Sequence, residues 1–524
     1  MGHFSQREVL SHAMIEPPAF GLSSIWATHA RFAPGRIAAI CGTRQLTWGE
    51  FDQATCRVAN ALLKMGVGHD EPVALVMTNS LEMLEVMFGI TRAGACMVPI
   101  SGLLTSQQIA TMMADSGAAT VFVSSGNRAL VEAAELPASV RRIAIGFTGE
   151  GWEAGDALLA AAPGSDPGVR TRPEDRFNII YSSGTTGLPK GIVQSLGART
   201  HFAWSNALEL GMARDSIALV TTALYSNGTM FMVLPPLLLG GTVVIMEQFS
   251  PAGALALIEQ HKVTHAFMVP TQCIVTLDDP ALGRHDLSSL RCLLSAGSSL
   301  RPDTREAVIA RMTPQVYELY GFSEGFATMR KPGDTPRRPG AVGRPVIGFD
   351  LRIVGGDDKE CPRGEVGEIV GTGLGAMAGY HNRPDLDEAI LWHDPSGAAY
   401  LRSGDLGYVD EEGFLHIVDR KKDMILSGGF NIFPADLEAV VGEHPEVQDV
   451  TVIGIPHPKW GETPLALVIP RGEPDPAALL EWANARLART QRLAGLELRP
   501  AFPRNALGKV LKRELRAPWW DQPK

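Results

Sequence analysis

An alternation of short apolar segments with helix-forming segments limits this chain to few possible folds. Apolar runs with strand character read EPVALVM (71–77), ACMVPI (95–100) and AATVFV (118–123). Helix-forming segments separate them, and the first, SLEMLEVMFGITRAG (80–94), begins at a candidate helix cap, Ser80. The alternation returns at 240–275. Strands that alternate with helices predict a mostly parallel sheet covered by helices.

Length and composition indicate a folded chain of several domains. The chain has 524 residues, of which 45% are hydrophobic and 20% are charged. Such a length suggests roughly two to four domains with ordinary cores. The net charge of −10 argues against nucleic acid as a main partner, because nucleic-acid-binding proteins present basic surfaces.

The cysteines and the N-terminus bear on the compartment. No pair among the six cysteines has metal-binding or redox spacing, and no secretory signal is visible. We therefore expect buried, reduced thiols in a cytoplasmic protein. The uncharged stretch MFMVLPPLLLGGTVVIM (230–246) contains Pro-Pro and Gly-Gly pairs that would interrupt a membrane-spanning helix. It predicts a buried helix, a turn and a buried strand, and no transmembrane segment.

The sequence changes character after about residue 340, where Gly and Pro separate β-rich segments. A compact unit follows, with predicted helices PADLEAVVGEH (434–444) and AALLEWANARLART (477–490) and strands between them. The charged run DRKKD (419–423) marks the boundary and is not expected to be buried. The predicted fold class is α/β. A large N-terminal domain (1–419) has parallel-rich sheets flanked by helices plus a β-rich subdomain, and a small α+β domain (423–524) follows.

The segment YSSGTTGLPKG (181–191) has the composition of a phosphate-binding loop. Its hydroxyls and Lys190 offer donors and a cation, and its glycines let main-chain N–H groups face an anion. The spacing is not that of the common strand-to-helix loop, because Pro189 stands where that loop has its second glycine. Both flanks have strand character, so we predict that the loop joins two strands. Composition alone leaves a phosphate cradle and a flexible surface turn equally open.

The ordered sequence of this loop resembles the signature of the adenylate-forming superfamily, which contains acyl-CoA synthetases, firefly-type luciferases and peptide-synthetase adenylation domains. Four more segments match in the expected order: YGFSEG (320–325), YLRSGDLGYVDEEGFLHIVDRKKDMI (400–425), GGFNIFPADLE (428–438) and NALGKVLKREL (505–515). The resemblance covers nearly the whole chain and is strongest to acyl-CoA or aryl-CoA ligases. It implies an enzyme that uses ATP and Mg²⁺ to make an acyl-adenylate and then transfers the acyl group to coenzyme A.

The resemblance implies roles in phosphate and adenine binding. The residues implied to cradle the β- and γ-phosphates are Ser182, Ser183, Gly184, Thr185, Thr186, Gly187 and Lys190. Ser323 matches a hydroxyl that contacts the α-phosphate, a position where Thr is commoner, and Glu324 matches the Mg²⁺ ligand. Tyr320, followed by Gly321, matches the ring that stacks on adenine.

Three further residues complete the implied nucleotide site. Asp405 and Arg420 match the ribose contacts, for which a carboxylate offers two acceptor oxygens. Lys509 matches the catalytic lysine that bridges the substrate carboxylate and the α-phosphate, where two anions meet. It is expected to lie in an exposed loop.

The resemblance also implies motion of the C-terminal domain. Lys422 matches the hinge position of the family, so residues 420–422 are predicted to be the hinge about which that domain swivels between the half-reactions. The segment with Gly428, Gly429 and Phe430 is implied to face the thiol-bearing arm of coenzyme A.

The acyl pocket is implied to lie among segments 225–231, 269–271, 296–299 and 322–328. Its predicted lining residues are Tyr225, Ser226, Asn227, Met230, Ala296, Gly297, Ser298, Phe322 and Phe326. These segments carry no Lys or Arg, which favours a carboxylic acid with a neutral tail, either aromatic or medium-chain aliphatic.

Other functions stay open at this point. They are a stand-alone adenylation enzyme that loads a separate carrier protein, an oxidative luciferase and a non-enzymatic nucleotide sensor. The expected partners are a small carboxylic acid and CoA, in a monomer or homodimer.

Overall fold

The computed structural model of the protein describes residues 21–182, 190–334, 340–427, 430–489, 491–504 and 508–520. The helices, numbered in chain order, are α1 Leu22–Phe32, α2 Trp48–Lys64, α3 Leu81–Arg92, α4 Ser106–Ser116, α5 Arg128–Glu132, α6 Gly155–Ala161, α7 Leu196–Glu209, α8 Leu234–Leu239, α9 Pro251–His261, α10 Pro270–Leu277, α11 Pro302–Arg311, α12 Pro384–Ala389, α13 Pro434–Gly442, α14 Pro476–Asn484 and α15 Lys512–Trp520.

The strands are β1 Ile37–Cys41, β2 Arg44–Thr47, β3 Pro72–Val76, β4 Cys96–Pro99, β5 Thr120–Ser124, β6 Arg141–Ile145, β7 Glu153–Ala154, β8 Arg176–Ser182, β9 Lys190–Ser195, β10 Ile217–Val220, β11 Thr242–Ile245, β12 His265–Phe267, β13 Cys292–Ser295, β14 Val316–Gly321, β15 Ala327–Arg330, β16 Arg344–Pro345, β17 Phe349–Val354, β18 Gly367–Gly373, β19 Gly379–Tyr380, β20 Leu391–His393, β21 Ala399–Val409, β22 Leu415–Arg420, β23 Ile425–Ser427, β24 Phe430–Ile432, β25 Val447–His457, β26 Gly461–Pro470 and β27 Gly495–Leu498.

The strands form four sheets in the described part of the chain. Two are large and parallel-rich, with strand orders β16-β15-β14-β13-β12-β10-β11-β1-β2 and β19-β9-β8-β4-β3-β5-β6-β7. A smaller antiparallel sheet contains β17, β18, β20, β21 and β22, and a C-terminal sheet contains β23 to β27. The pairs β3·β4, β3·β5, β10·β11 and β12·β13 are parallel. The α/β class that the alternation predicted is confirmed.

Helices pack between the two large sheets around a buried aromatic group. Trp26 of α1 and Phe88 of α3 are fully buried, with ring centroids 4.7 Å apart in an edge-to-face arrangement. Burying such a side chain stabilises the fold by roughly 1.5–3 kcal/mol. The Ser80 hydroxyl accepts a hydrogen bond from Met83 N and caps α3, as the sequence predicted.

The apolar stretch 230–246 folds as predicted into buried secondary structure. It contains α8, then Gly240 at φ 77°, then β11. Glycine suits this turn because a positive φ strains residues that carry a Cβ atom. In the ranges given above, no helix is long and apolar enough to cross a membrane.

The residues after 423 form their own small core, in which α13 and α14 pack against β25 and β26. The predicted helix 477–490 is wrong at its end, because α14 stops at Asn484. The Asn484 side chain accepts from Leu493 N and donates to Leu493 O, at 2.8 and 3.1 Å. These bonds to a later loop compete with a further helical turn. The thiol prediction also needs a correction, since Cys361 is partly exposed while the other cysteines are buried.

Candidate active site

The hydroxyl-rich segment begins and ends in paired strands, which confirms that it joins two strands. β8 and β9 are antiparallel neighbours, with Ser182 opposite Lys190. The Tyr181 hydroxyl donates to Asp115 Oδ2 at 2.6 Å and anchors the end of β8. The Lys190 ammonium lies 5.2 Å from the centre of the Tyr380 ring. Residues 183–189 and the Ser182 side chain lie outside the described residues, so the implied phosphate contacts of Ser183, Gly184, Thr185, Thr186 and Gly187 stay predictions.

The end of β14 lies against the antiparallel sheet through Tyr320. The Tyr320 hydroxyl donates to Asp405 Oδ2 at 2.7 Å. Burial, together with the neighbouring Asp405 carboxylate, raises the pKa of Tyr320, so its hydroxyl remains a donor. Gly321 follows, and a Cβ atom there would lie 2.5 Å from the carbonyl oxygen of Phe326. The close approach of these two chain segments therefore requires glycine after Tyr320.

Asp405 has a buried oxygen available for a ligand hydroxyl. Its side chain is 6% exposed, and its Oδ1 has no hydrogen-bond partner in the described part of the chain. Arg420 lies directly opposite on β22, with its Nε 3.3 Å from that oxygen. Buried acceptors normally find a donor, and a ribose diol would supply one. The structure therefore brings together the two residues that the sequence assigned to ribose.

Ser323 and Glu324 lie in the turn that follows β14. Asn227 Nδ2 donates to Ser323 Oγ at 3.0 Å, and the Tyr380 hydroxyl donates to Glu324 Oε1 at 2.9 Å. No group of three or more His, Cys, Asp or Glu side chains that could hold a metal occurs in the described ranges. One carboxylate fits Mg²⁺, which binds few protein ligands and takes the rest from phosphates and water.

Lys509 reaches this region from the C-terminal unit. Its loop is held by Arg504, whose Nη1 donates to Gly508 O at 2.6 Å. Gly508 has φ 75°, and an added Cβ atom would lie 2.6 Å from Thr271 Oγ1 at the start of α10. The expectation of an exposed loop is wrong, because Lys509 is half-buried. Burial, with a contribution from the Arg420 cation, lowers the pKa of Lys509 to about 8, and the Asp405 carboxylate opposes this change.

The predicted hinge, residues 420–422, directly follows a buried carboxylate near the end of β22. Lys421 and Lys422 are exposed, but Asp419 is only 8% exposed, so the expectation that the whole run 419–423 is unburied is wrong. Asp419 Oδ2 accepts from Ala435 N at 3.0 Å, in the first turn of α13. That contact draws the carboxylate inward, where burial raises the pKa of Asp419 to about 6. Gly428 and Gly429, with the Phe430 side chain, lie outside the described residues.

The predicted acyl-pocket residues divide into two groups. Met230, Ala296 and Ser226 are buried, and Phe326 is 2% exposed in the core of the antiparallel sheet. A Cβ atom on Gly371 would lie 2.0 Å from the Phe326 ring, so that ring packs tightly. The more accessible members are Tyr225, Asn227, Gly297, Ser298 and Phe322. The pocket prediction therefore rests mainly on this second group.

Sequence reasoning missed several residues that support the site. Tyr380 holds Glu324, and Gln194 Nε2 donates to Ser323 O at 2.9 Å. Arg199 of α7 is 1% exposed and donates from Nη2 to Asn227 Oδ1 at 2.7 Å. The sequence indicates the burial of Arg199 only through its setting, since it is a cation in a helix, α7, that consists mostly of small or apolar residues. Nothing in the sequence indicated the partners of Tyr380 or Gln194.

Comparisons with known proteins identify the family of this chain. The AMP-binding enzyme family matches residues 26–381, and the AMP-binding enzyme C-terminal domain matches residues 436–509. A feruloyl-CoA synthase of an Amycolatopsis species is 34% identical over 95% of this chain and 98% of its own length. An indoleacetate–CoA ligase of Aromatoleum aromaticum is 33% identical over 93% and 96%. The solved structure of ATP-bound MatB from Rhodopseudomonas palustris is similar with a TM-score of 0.86 at 26% identity, covering 96% of this chain and 99% of that chain.

The chain belongs to the AMP-binding enzyme family, and the resemblance drawn from its sequence is confirmed. Within that family it is an AMP-forming acyl-CoA synthetase, an enzyme of the acid–thiol ligase class.

The pKa of Lys509 predicts a pH limit on adenylation. A pKa of about 8 makes the lysine mainly a cation below that pH, and only the cation could offset charge in the bridging role that the sequence resemblance implies. We expect kcat/KM for ATP in acid-dependent pyrophosphate release to fall as pH rises through about 8. Lys509→Arg should lose this alkaline limb, since arginine stays charged. An unchanged profile in that variant would contradict the assignment.

The Tyr380–Glu324 hydrogen bond predicts a change in Mg²⁺ dependence. Tyr380→Phe removes the donor that orients the carboxylate, so the Mg²⁺ concentration for half-maximal adenylation should rise about tenfold. Tyr400→Phe is the matched control, because Tyr400 donates to Asp350 in the same way at 2.7 Å. Equal Mg²⁺ requirements in both variants would show that Tyr380 does not act on the metal ligand.

Proposed function

We propose that this protein is an ATP-dependent acid–CoA ligase whose substrate is a carboxylic acid with a neutral, apolar tail, and that aromatic acids are preferred to medium-chain aliphatic acids. In the first half-reaction a carboxylate oxygen attacks the α-phosphorus of ATP, the bond to pyrophosphate breaks, and an acyl-adenylate forms. In the second, the CoA thiolate attacks the acyl carbon and AMP leaves. The protein positions the reactants and stabilises charge.

One observation carries the proposal. The Tyr320–Asp405–Arg420 group lies beside the Ser323–Glu324 turn, which follows Tyr320 in the chain, and beside Lys509, whose pKa is affected by Asp405 and Arg420. The first group suits a nucleoside, the second suits phosphate and metal, and the third suits the point where two anions meet. Mg²⁺, held by Glu324 and the phosphates, would neutralise charge on the departing pyrophosphate.

The substrate class is argued from charge and shape. The segments predicted to line the pocket carry no Lys or Arg. Arg199 lies next to Asn227, but it is 1% exposed, and its Nε and Nη2 already donate to amide oxygens. Phe322 and Tyr225 offer partly exposed rings for an aromatic acid. Two of the similar relatives, at 34% and 33% identity, are named for feruloyl-CoA and indoleacetate, both of which contain aromatic acyl groups.

The test is acid-dependent pyrophosphate release across a panel of acids, without and then with free CoA. The panel contains hydroxycinnamic, arylacetic and benzoic acids, saturated acids of six to twelve carbons as a rough medium-chain range, and dicarboxylic acids. We expect the highest kcat/KM with an aromatic monocarboxylate and formation of its CoA thioester. A clear preference for dicarboxylates would contradict the neutral-tail proposal. Pyrophosphate release that never yields acyl-CoA would contradict the CoA step and point to a carrier protein as acceptor.

A further inference from the structure

A fully buried arginine lies behind the proposed adenylation site, and it has no carboxylate partner among the described residues. Arg199 is 1% exposed. Its Nε donates to Asn178 Oδ1 at 2.9 Å, and its Nη2 donates to Asn227 Oδ1 at 2.7 Å. The Phe177 and Phe202 rings lie beside the guanidinium. Burial lowers the pKa of Arg199 to about 9, and no anion in the part of the chain that the structure describes opposes this effect.

Burying Arg199 in this way lowers the stability of the folded state, because a buried charge loses its hydration and needs interactions in the protein to compensate for that loss. An apolar side chain of similar size would fill the same space without that cost. The position of Arg199 therefore indicates a task other than packing, and its hydrogen bonds show where that task lies.

The guanidinium determines the orientation of the Asn227 amide. Arginine has only donors, so the oxygen of the Asn227 amide must face Arg199 and the NH₂ group must face away from it. That NH₂ group donates to Ser323 Oγ at 3.0 Å. A flipped amide would present its oxygen to the serine and leave the guanidinium facing a donor.

The orientation of Asn227 in turn determines what the Ser323 hydroxyl does. Since Ser323 Oγ already accepts from Asn227, its own hydrogen is directed to another acceptor. The main chain is also fixed there, because Gln194 Nε2 donates to Ser323 O at 2.9 Å. Ser323 is therefore held at its main-chain oxygen and at its hydroxyl oxygen before any nucleotide binds, and its hydrogen is excluded from the direction of Asn227.

We propose that Arg199 and Asn227 are positioning residues for adenylation, which fix the Ser323 hydroxyl as a hydrogen-bond donor to the α-phosphate. This relay, Arg199–Asn227–Ser323, rests on the proposed nucleotide site. It adds a residue of α7 and one of the segment after β10 to the proposed nucleotide site. A hydroxyl that must first rotate would lose part of its contribution to phosphate binding.

The test measures binding of AMP and of adenosine, which differ by the α-phosphate, to purified protein by calorimetry. Asn227→Asp replaces the NH₂ donor with an acceptor, so the Ser323 hydrogen turns to the new carboxylate. We expect AMP to bind about tenfold more weakly and adenosine to bind as to the wild type. The melting temperature should stay equal or rise, because the introduced carboxylate would give Arg199 a counter-ion.

Two further variants separate the relay from a simple effect of charge or folding. Arg199→Met frees the Asn227 amide to flip and should also weaken AMP selectively. Arg92→Met is the matched control, because Arg92 is 5% exposed and paired with Asp52 away from the site. It should leave the binding of both ligands unchanged.

The decisive comparison places Asn227→Asp in a Ser323→Ala background. If the relay acts through Ser323, the second change has no further effect on AMP binding, whereas charge repulsion would persist. Equal loss of AMP and adenosine, or a full Asn227→Asp effect without the serine hydroxyl, would overturn the relay. A wild-type protein that binds neither ligand would contradict the proposed nucleotide site itself, which is a different result from a failed relay.

Discussion

Lys509→Ala should abolish acyl-adenylate formation and leave thioester formation from a supplied acyl-adenylate largely intact. Removing one group that stabilises charge in a transition state typically costs about 10²–10³ in rate, and we expect at least this loss in pyrophosphate release. The reason is local. Lys509 is half-buried beside Asp405 and Arg420, and its removal would leave the charge at the proposed meeting point of carboxylate and phosphate without this cation.

The two half-reactions must be measured separately for this test. Pyrophosphate release with ATP and acid reports the first, and conversion of synthetic acyl-adenylate by CoA reports the second. Lys459→Ala is a suitable control, because Lys459 is an exposed lysine in the same C-terminal unit. Equal loss of both half-reactions in Lys509→Ala would contradict a role confined to adenylation.

Lys422→Pro should have the opposite effect, sparing adenylation and blocking thioester formation. We expect the thioester rate to fall by tenfold or more, while pyrophosphate release stays within about threefold of the wild type. In the described part of the chain the Lys422 N–H donates no hydrogen bond, so proline removes no main-chain hydrogen bond from the orientation seen here. Proline nevertheless fixes its own φ and restricts the preceding residue, which opposes rotation at this turn.

Lys422→Ala separates loss of the side chain from loss of rotation. Alanine keeps both dihedral angles free and should retain both half-reactions. The turn is otherwise well held, since Lys421 N donates to Gly404 O and both Asp423 N and Met424 N donate to Arg420 O. If Lys422→Pro leaves both rates unchanged, the hinge lies elsewhere, and the proposed boundary between 1–419 and 423–524 needs revision.

Local sequence patterns predicted those helices, strands and turns whose conformation depends on residues close in sequence. The strands on both sides of the hydroxyl-rich loop, the Ser80 cap of α3 and the helix–turn–strand at 230–246 all follow from short-range preferences. The end of α14 does not, because the Asn484 side chain is drawn to Leu493, which comes nine residues later.

The candidate site was predictable as a set of motifs but not as a set of contacts. The Tyr320–Asp405 hydrogen bond joins residues 85 apart in sequence, and the bond from Asn227 to Ser323 spans 96. Asp419 and Arg199 illustrate the limit most clearly. Charged side chains predict exposure, yet both are buried because residues distant in sequence form hydrogen bonds with them. Asp419 accepts from Ala435 N, and Arg199 donates to the amide oxygens of Asn178 and Asn227.

An oxygen-isotope measurement tests whether this site joins a carboxylate to the α-phosphate of ATP. The preferred acid is labelled with ¹⁸O in its carboxylate and turned over with ATP, Mg²⁺ and CoA. We expect one labelled oxygen in each AMP and none in pyrophosphate. The carboxylate oxygen that bridges the acyl carbon and phosphorus stays with phosphorus when the thiolate displaces AMP. Two results would contradict this mechanism. One is ¹⁸O found in phosphate or pyrophosphate, and the other is turnover that produces ADP while any AMP carries no label.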